Sequence, residues 1–178
     1  MAEVKTFSPV KLICGIIAST ELIFMKAEEH LVRLYGSIDN ASPPLKFNFT
    51  DYYEKQMGKN LKRKFLSSAH LIQPEKLSEI KLRTNEIEEE IKKELSAGHR
   101  IVNLDPGYLT PSALIMATVK DFAHRIPLQH GIYAHLELLF GKKEVHTLSW
   151  TYPDYKTEEY QNFFRDVRKT YLSQLRNT

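Results

Sequence analysis

The stretch HRIVNLDPGYLTPSALIMATVKDFAHRIPLQHGIYAHLELLF, residues 99–140, decides the fold because it joins strand-forming apolar runs to clusters of polar groups. Residues 101–104 predict a strand that leads into Asp105-Pro106-Gly107-Tyr108. Pro fits the second position of a type II turn and Gly fits the third, where φ is positive. The sequence therefore predicts that the chain turns at Asp105.

Two more strands are predicted in the same stretch. Ala113–Val119 is too short and too apolar for a surface helix, so it favours a strand. Between Gly131 and Phe140, apolar residues alternate with a polar series, which is the pattern of a half-buried strand. Its polar members Tyr133, His135 and Glu137 share one face, because side chains two apart on a strand point the same way.

The N-terminal part predicts strands and one helix. Val10–Ala18 is an apolar, β-branched run typical of a central strand that is buried on both faces. A Ser-Thr pair follows and can cap a helix that ends at Gly36. Residues 46–50 alternate as a short strand does. Residues 61–72 suit a helix or a strand, and we prefer a strand that pairs back on 46–50.

A long amphipathic helix is predicted from Pro74 to Gly98. Its Glu88-Glu89-Glu90 block belongs to the solvent side, with lysines four residues further on. Lys81, Asn85 and Glu88 share another stripe, which could face solvent or a cleft. We interpret this stripe as solvent-facing.

The order of the elements predicts the fold class. Glu144–Trp150 alternates and predicts a hairpin partner for the strand before it, and Thr157 predicts the cap of a last helix. The result is an α+β fold, a mainly antiparallel sheet with about three helices packed over one face. The first six elements have the order of a ferredoxin-like unit.

Length and composition predict one domain over residues 1–178, with 42% hydrophobic residues and a net charge of +3. So mild a charge does not favour nucleic acid as the partner. The single cysteine, Cys14, excludes an intramolecular disulfide and a cysteine zinc cage. We expect no membrane partner and a cytoplasmic location, because no secretory signal or membrane-length apolar run is visible.

Familiar catalytic motifs are missing from the sequence. It has no Gly-rich phosphate loop, no dinucleotide-binding glycine pattern, no HExxH zinc helix and no nucleophile elbow. His135 and Glu137 are metal-ligand types, but two donors without a third do not predict a metal. The sequence therefore predicts neither a reaction nor a cofactor.

A polar group near the predicted strand ends is the candidate site. Lys120 and Arg125 are the residue types that hold an anion, with Thr118 beside them. In an enzymatic version, Asp105 or His124 serves as general base or acid. The structural alternatives are that Asp105 accepts turn amides and that the cations form a solvated cluster.

A resemblance to a known family adds to this pattern. The chain contains Asp105-Pro106-Gly107-Tyr108, the segment TVKDFAHRI at 118–126, Gly131-Ile132-Tyr133 and WTYPDY at 150–155, in that order. This series resembles a bacterial family of unknown function, domain-of-unknown-function family 4416, over nearly the whole chain. The family brings no established activity. If its pattern marks a site, the resemblance implies the positions Asp105, Tyr108, Lys120, His124, Arg125, Trp150 and Asp154.

The leading hypothesis is a protein that binds an anionic small molecule, such as a nucleotide or phosphate ester. Asp105 and His124 are the candidate catalytic residues. The candidate ligand-binding residues are Tyr108, Thr118, Lys120, Arg125, Tyr133, Trp150 and Asp154. The alternative is a non-catalytic RNA- or protein-interaction module that uses the basic run Lys59–Lys64. A homo-oligomer joined through a sheet edge is a third hypothesis.

Overall fold

The structure is a computed structural model that describes residues 3–142 and 144–177. Its nine strands are β1 Val10–Ala18, β2 Ile38–Ala41, β3 Leu45–Lys46, β4 Lys62–Ile72, β5 Val102–Leu109, β6 Ala113–Thr118, β7 Ile126–Pro127, β8 Tyr133–Phe140 and β9 Val145–Thr147. Its helices are α1 Glu21–Tyr35, α2 Glu54–Met57, α3 Leu77–Glu94 and α4 Glu158–Arg176, with 3₁₀ turns at Pro74–Lys76 and Pro153–Lys156.

All nine strands belong to one antiparallel sheet, in the order β2-β4-β1-β5-β6-β8-β7, with β3 added to β4 and β9 added to β8. The predicted α+β class with a mainly antiparallel sheet is confirmed. The ferredoxin-like beginning stays a prediction. Among the described residues, no helix is both long and apolar enough to cross a membrane.

Helices cover both faces of the sheet, so the prediction of helices over one face was wrong. Cys14 and Ile16 of β1 pack with α1 and α3, whereas Ile13 packs with α4. Consecutive side chains of a strand point to opposite faces, so the wholly buried β1 faces a helical layer on each side. The long apolar run that predicted a central strand is explained by these two layers.

The predicted turn at Asp105 is not a turn. β5 continues from Val102 to Leu109 and pairs with β1 along its whole length, with Asp105 opposite Gly15. Proline is tolerated where a strand lacks a ladder partner on one side. The pairs between β5 and β6 begin only at Gly107, one residue after Pro106.

β5 and β6 separate beyond this point. They pair at Gly107–Met116, Tyr108–Ile115 and Leu109–Leu114, whereas β6 goes on to pair with β8 as far as Thr118. The contact at the junction is close, because a Cβ on Gly107 would lie 2.5 Å from the Ile115 carbonyl oxygen. The diverging strands leave a gap in the sheet.

The other predicted elements agree with the structure, with changed bounds. Residues 62–72 form a strand, as preferred, and the strand predicted at 46–50 is the shorter Leu45–Lys46, which pairs with it. Thr20 and Thr157 cap α1 and α4. β9 pairs with β8, as the hairpin prediction required, although Lys143 of the connection lies outside the described residues.

Candidate functional site

A cavity of about 380 Å³ occupies the gap between β5 and β6. Asn103 and Asp105 of β5 line one side, and residues 116–118 of β6 line the other. The remaining wall comes from residues 47–53, Arg63 of β4, α3, Arg100, residues 119–120, His135 of β8 and residues 152–155. The cavity is therefore a product of the strand divergence, and residues from distant parts of the chain meet in it.

Arg63 of β4 is the central charge of the cavity. Its side chain is 6% exposed, and Nη2 donates to Asp105 Oδ2 at 3.0 Å while Nη1 donates to Asp154 Oδ2. Burial acts to lower the pKa of Arg63, but Tyr155, Asp154 and Asp105 outweigh it, so the pKa is raised. For the Asp154 carboxyl, burial raises the pKa, and the charge of Arg63 only partly offsets this rise. The guanidinium thus holds two carboxylates in place.

The stripe of Lys81, Asn85 and Glu88 on α3 faces the cavity and β5, so the prediction that it faces solvent was wrong. Lys81 and Asn85 line the cavity, and Lys81 Nζ donates to the carbonyl oxygen of Leu104 at 2.7 Å. Glu88 is buried and accepts from the Leu104 amide at 2.7 Å and from Arg100 at 2.7 Å. Burial raises the pKa of Glu88 against the opposing charge of Arg100. The stripe therefore fixes α3 to β5.

Aromatic rings form the wall opposite the sheet. Phe47, Phe49, Tyr52 and Tyr53 line the cavity. The Lys120 ammonium lies 3.8 Å from the centroid of the Tyr52 ring, within the range of a cation–π contact. A flat apolar surface thus stands beside a cation, which is a combination that suits a ligand with both a ring and a charge.

Three buried polar atoms on the cavity wall have no hydrogen-bond partner among the residues the structure describes. They are Arg63 Nε, Asn103 Nδ2 and His135 Nδ1, on side chains of residues that are 5%, 4% and 3% exposed. The amide oxygen of Asn103 is already used, since it accepts from Arg100 at 2.5 Å. Buried polar groups are normally satisfied, so these atoms are the ones that a ligand or an ordered water in the cavity could engage.

The charges that line the cavity are unbalanced. Its cations are Arg63, Lys81, Arg100 and Lys120, and its carboxylates are Asp105 and Asp154. With four positive and two negative side chains, the lining carries a net charge of +2. Arg63 is paired with the two carboxylates and Arg100 with Glu88, so Lys81 and Lys120 are the cations that remain to attract an anion.

His135 and Glu137 form a buried pair on β8. His135 Nε2 lies 2.7 Å from Glu137 Oε2, and the other carboxylate oxygen accepts from the Tyr152 amide at 2.7 Å. The half-buried strand pattern placed both side chains on a polar face, but that face is covered by residues 150–155. Among the described residues, no group of three or more potential metal ligands comes together.

The cavity brings together four of the residues predicted from the sequence. Asp105, Thr118, Lys120 and Asp154 line it. Tyr108 packs instead with Leu77 and Ala117, outside the lining. Tyr133 also lies outside the lining.

The other three predicted residues, His124, Arg125 and Trp150, lie at the edge of the cavity. The His124 and Trp150 rings stack with centroids 5.0 Å apart, and the half-buried His124 ring lies 5.9 Å from the His135 ring. Partial desolvation, followed by the charge of Arg125, lowers the pKa of His124. Arg125 donates to the Lys120 carbonyl oxygen at 2.7 Å and to the Tyr152 hydroxyl at 2.9 Å. Arg125 thus ties the segment that carries Lys120 to the 152–155 wall.

The cavity residues that sequence reasoning did not assign to the site include Arg63, Lys81, Asn85, Arg100 and Asn103, together with His135 as a lining residue. Alternation along the predicted strand 61–72 could have separated Arg63 from its neighbours Lys62 and Lys64, since it shares a face with Leu61 and Phe65. The stripe of Lys81 was noticed and assigned to solvent. No local signal marked Asn103.

The fold and the site define an α+β protein with a cationic, aromatic-lined cavity set into an antiparallel sheet. The chain belongs to the family described as Domain of unknown function (DUF4416), whose model matches residues 8–171. No curated protein and no solved structure matches the chain significantly. The match spans all the cavity-lining residues.

Proposed function

We propose that this protein binds a small anionic molecule, such as a nucleotide or another phosphate ester, in the cavity between β5 and β6. The observation that carries the proposal is the lining itself, with its net charge of +2 and the unpartnered donors Arg63 Nε and Asn103 Nδ2. A volume of about 380 Å³ falls in the range of small-molecule sites. We expect the ligand to be a cytoplasmic metabolite.

The geometry favours a ligand with two unlike parts. Lys120 and Arg100 each lie over a tyrosine ring, at 3.8 Å and 5.8 Å from the ring centroids. Each cation covers one face of its ring, so a flat ligand group would contact an uncovered ring such as Phe49, while the cations serve an anionic group. A nucleotide or an aryl phosphate has both parts.

The alternative, an RNA- or protein-interaction module, has less support from the basic run at 59–64. Arg63 is buried with its carboxylates, and Lys64 contacts Glu28 at 2.5 Å. The exposed cations of the run are Lys59 and Lys62. Exposed Phe122 and Ile126, 64% and 66% accessible, are the features that favour a protein partner instead.

Thermal unfolding against a panel of nucleotides, sugar phosphates and p-nitrophenyl phosphate tests the proposal. A ligand that binds only the folded state at a hundred times its Kd adds about 2.7 kcal/mol of stability, so the midpoint must rise. Lys120→Ala removes an exposed cation at the cavity, and we expect it to weaken binding at least about tenfold.

Lys59→Ala is the matched control, because it removes the same charge from an exposed position outside the cavity lining. We expect it to leave ligand affinity unchanged. If no compound of the panel shifts the midpoint, the proposal fails. If Lys59→Ala weakens binding as much as Lys120→Ala does, the interaction module is favoured.

A further inference from the structure

His135 and Glu137 place a fixed imidazole at the cavity wall. His135 Nε2 is held by Glu137 at 2.7 Å, and the second oxygen of that carboxylate is held by the Tyr152 amide. Both residues are buried, at 3% and 0% exposure. The pair therefore has a defined orientation, in which one ring nitrogen is engaged with a carboxylate.

The other ring nitrogen, Nδ1, is not engaged by this pair. It is buried and has no hydrogen-bond partner among the described residues, although His135 lines the cavity. The titratable groups around the ring are Glu137 on the same strand, His124 from the 119–132 segment and Tyr152 from the segment after β9. The charged groups that share the cavity with it are Arg63, Asp105, Lys81, Arg100, Lys120 and Asp154.

Protonation changes what this nitrogen offers a ligand. In neutral His135 with Nε2–H donating to Glu137, Nδ1 is an acceptor, whereas in the imidazolium it is a second donor. The Glu137 carboxylate stabilises the positive ring from the far side. An anion in the cavity would stabilise it from the near side, because the donor would then bear a charge.

We propose that His135 is a proton-linked ligand for the anion in this cavity, so that the anionic group binds together with one proton taken up on Nδ1. The inference rests on the proposed function and specifies its regulation. A ligand whose own charge is constant then binds more tightly at low pH, because binding takes up a proton. A ligand that needs an acceptor at this position would show the opposite dependence.

Inorganic sulfate and p-nitrophenyl sulfate are suitable probes, because their charge does not change between pH 5.5 and 8.0. We expect isothermal titration calorimetry to give a Kd that is at least about tenfold lower at pH 5.5 than at pH 8.0, since one linked proton changes affinity by up to tenfold per pH unit. Repeating the titration at pH 7 in buffers of different ionisation enthalpy should show uptake of up to one proton on binding. This measurement needs no variant.

Variants then test whether the proton taken up on binding is carried by His135. His135→Gln should bind the sulfates with the same Kd at both pH values, and Glu137→Gln should reduce the dependence because the imidazolium loses its carboxylate. His146→Gln, which removes an exposed histidine of β9 outside the cavity lining, should keep the wild-type dependence. Circular dichroism checks that each variant is folded.

The outcomes separate this inference from the proposed function. A Kd that is independent of pH, a Kd that falls as pH rises, no sulfate binding at pH 5.5, or a full pH dependence in folded His135→Gln would each overturn the role of His135. In those cases the proposal that the cavity binds phosphorylated compounds would not be overturned. If no anion of either panel binds at any pH, the proposed function itself fails.

Discussion

Arg63 is the residue on which the cavity depends most, because its guanidinium is the partner of both Asp105 and Asp154. A buried ion pair contributes little compared with an apolar replacement of the whole group, but removal of one partner leaves the other charge buried and uncompensated. Asp154, whose side chain is 4% exposed, would be left in that state, whereas Asp105 is 23% exposed and would be partly solvated. The two ion pairs also fix the positions of Arg63, Asp105 and Asp154, which line the cavity.

Arg63→Ala should therefore lower the free energy of unfolding by about 3–5 kcal/mol, measured by urea denaturation at pH 7. Lys62→Ala is the matched control, because Lys62 is the exposed neighbour on the same strand, and its effect should stay within about 0.5 kcal/mol. Equal losses in the two variants would show that the two ion pairs add no stability beyond a surface charge.

Two buried tyrosines of α4 differ in whether their hydroxyl group has a hydrogen-bond partner among the described residues. Tyr171 donates its hydroxyl to the Pro9 carbonyl oxygen at 2.7 Å, whereas the buried hydroxyl of Tyr160 has no partner among the described residues. Removing a satisfied hydroxyl loses about 1 kcal/mol, but removing an unsatisfied one relieves a desolvation cost. We expect Tyr171→Phe to lower the thermal midpoint and Tyr160→Phe to leave it unchanged or raise it. The reverse order would contradict the assigned contacts.

At the scale of elements, the junction of β5 and β6 sets the position of the cavity. The Pro-Gly pair predicted a turn from local preferences alone, and the strand register with β1 overrode them. Gly107 is needed for the close approach of β6 and not for a positive φ, since a Cβ would lie 2.5 Å from both Ile115 O and Met116 Sδ. The same dipeptide thus serves a different physical purpose from the one that the sequence suggested.

Gly107→Ala should cost about 1–3 kcal/mol of unfolding free energy, because the added methyl must push the two strands apart. Gly98→Ala is the control, since a Cβ there meets nothing within 4 Å. Chemical denaturation of both variants measures the difference. If Gly107→Ala is as stable as Gly98→Ala, the strands are not in contact as described.

Over the whole molecule, the hydrophobic pattern predicted the fold class correctly but did not predict the cavity. The run Val10–Ala18 predicted a central strand because burial on both faces requires apolar residues at every position. The cavity depends on where β5 and β6 separate and on contacts such as Arg63 with Asp154, 91 residues apart. Such long-range pairs leave no local periodicity, so Asn103 carried no signal as a lining residue, and His135 was noticed only as a metal-ligand type on the polar face of its strand.

The cavity joins seven separate segments of the chain, so ligand binding should protect several of them together. We expect hydrogen exchange in the presence of a panel compound that raises the midpoint to slow at residues 47–53, 116–120 and 152–155, because these line the cavity. Residues 10–18 of the buried central strand should keep their already slow exchange, which makes them the internal control. Protection confined to residues 59–64 or 122–128 would instead locate the ligand on the outer surface and favour an interaction module over a binding cavity.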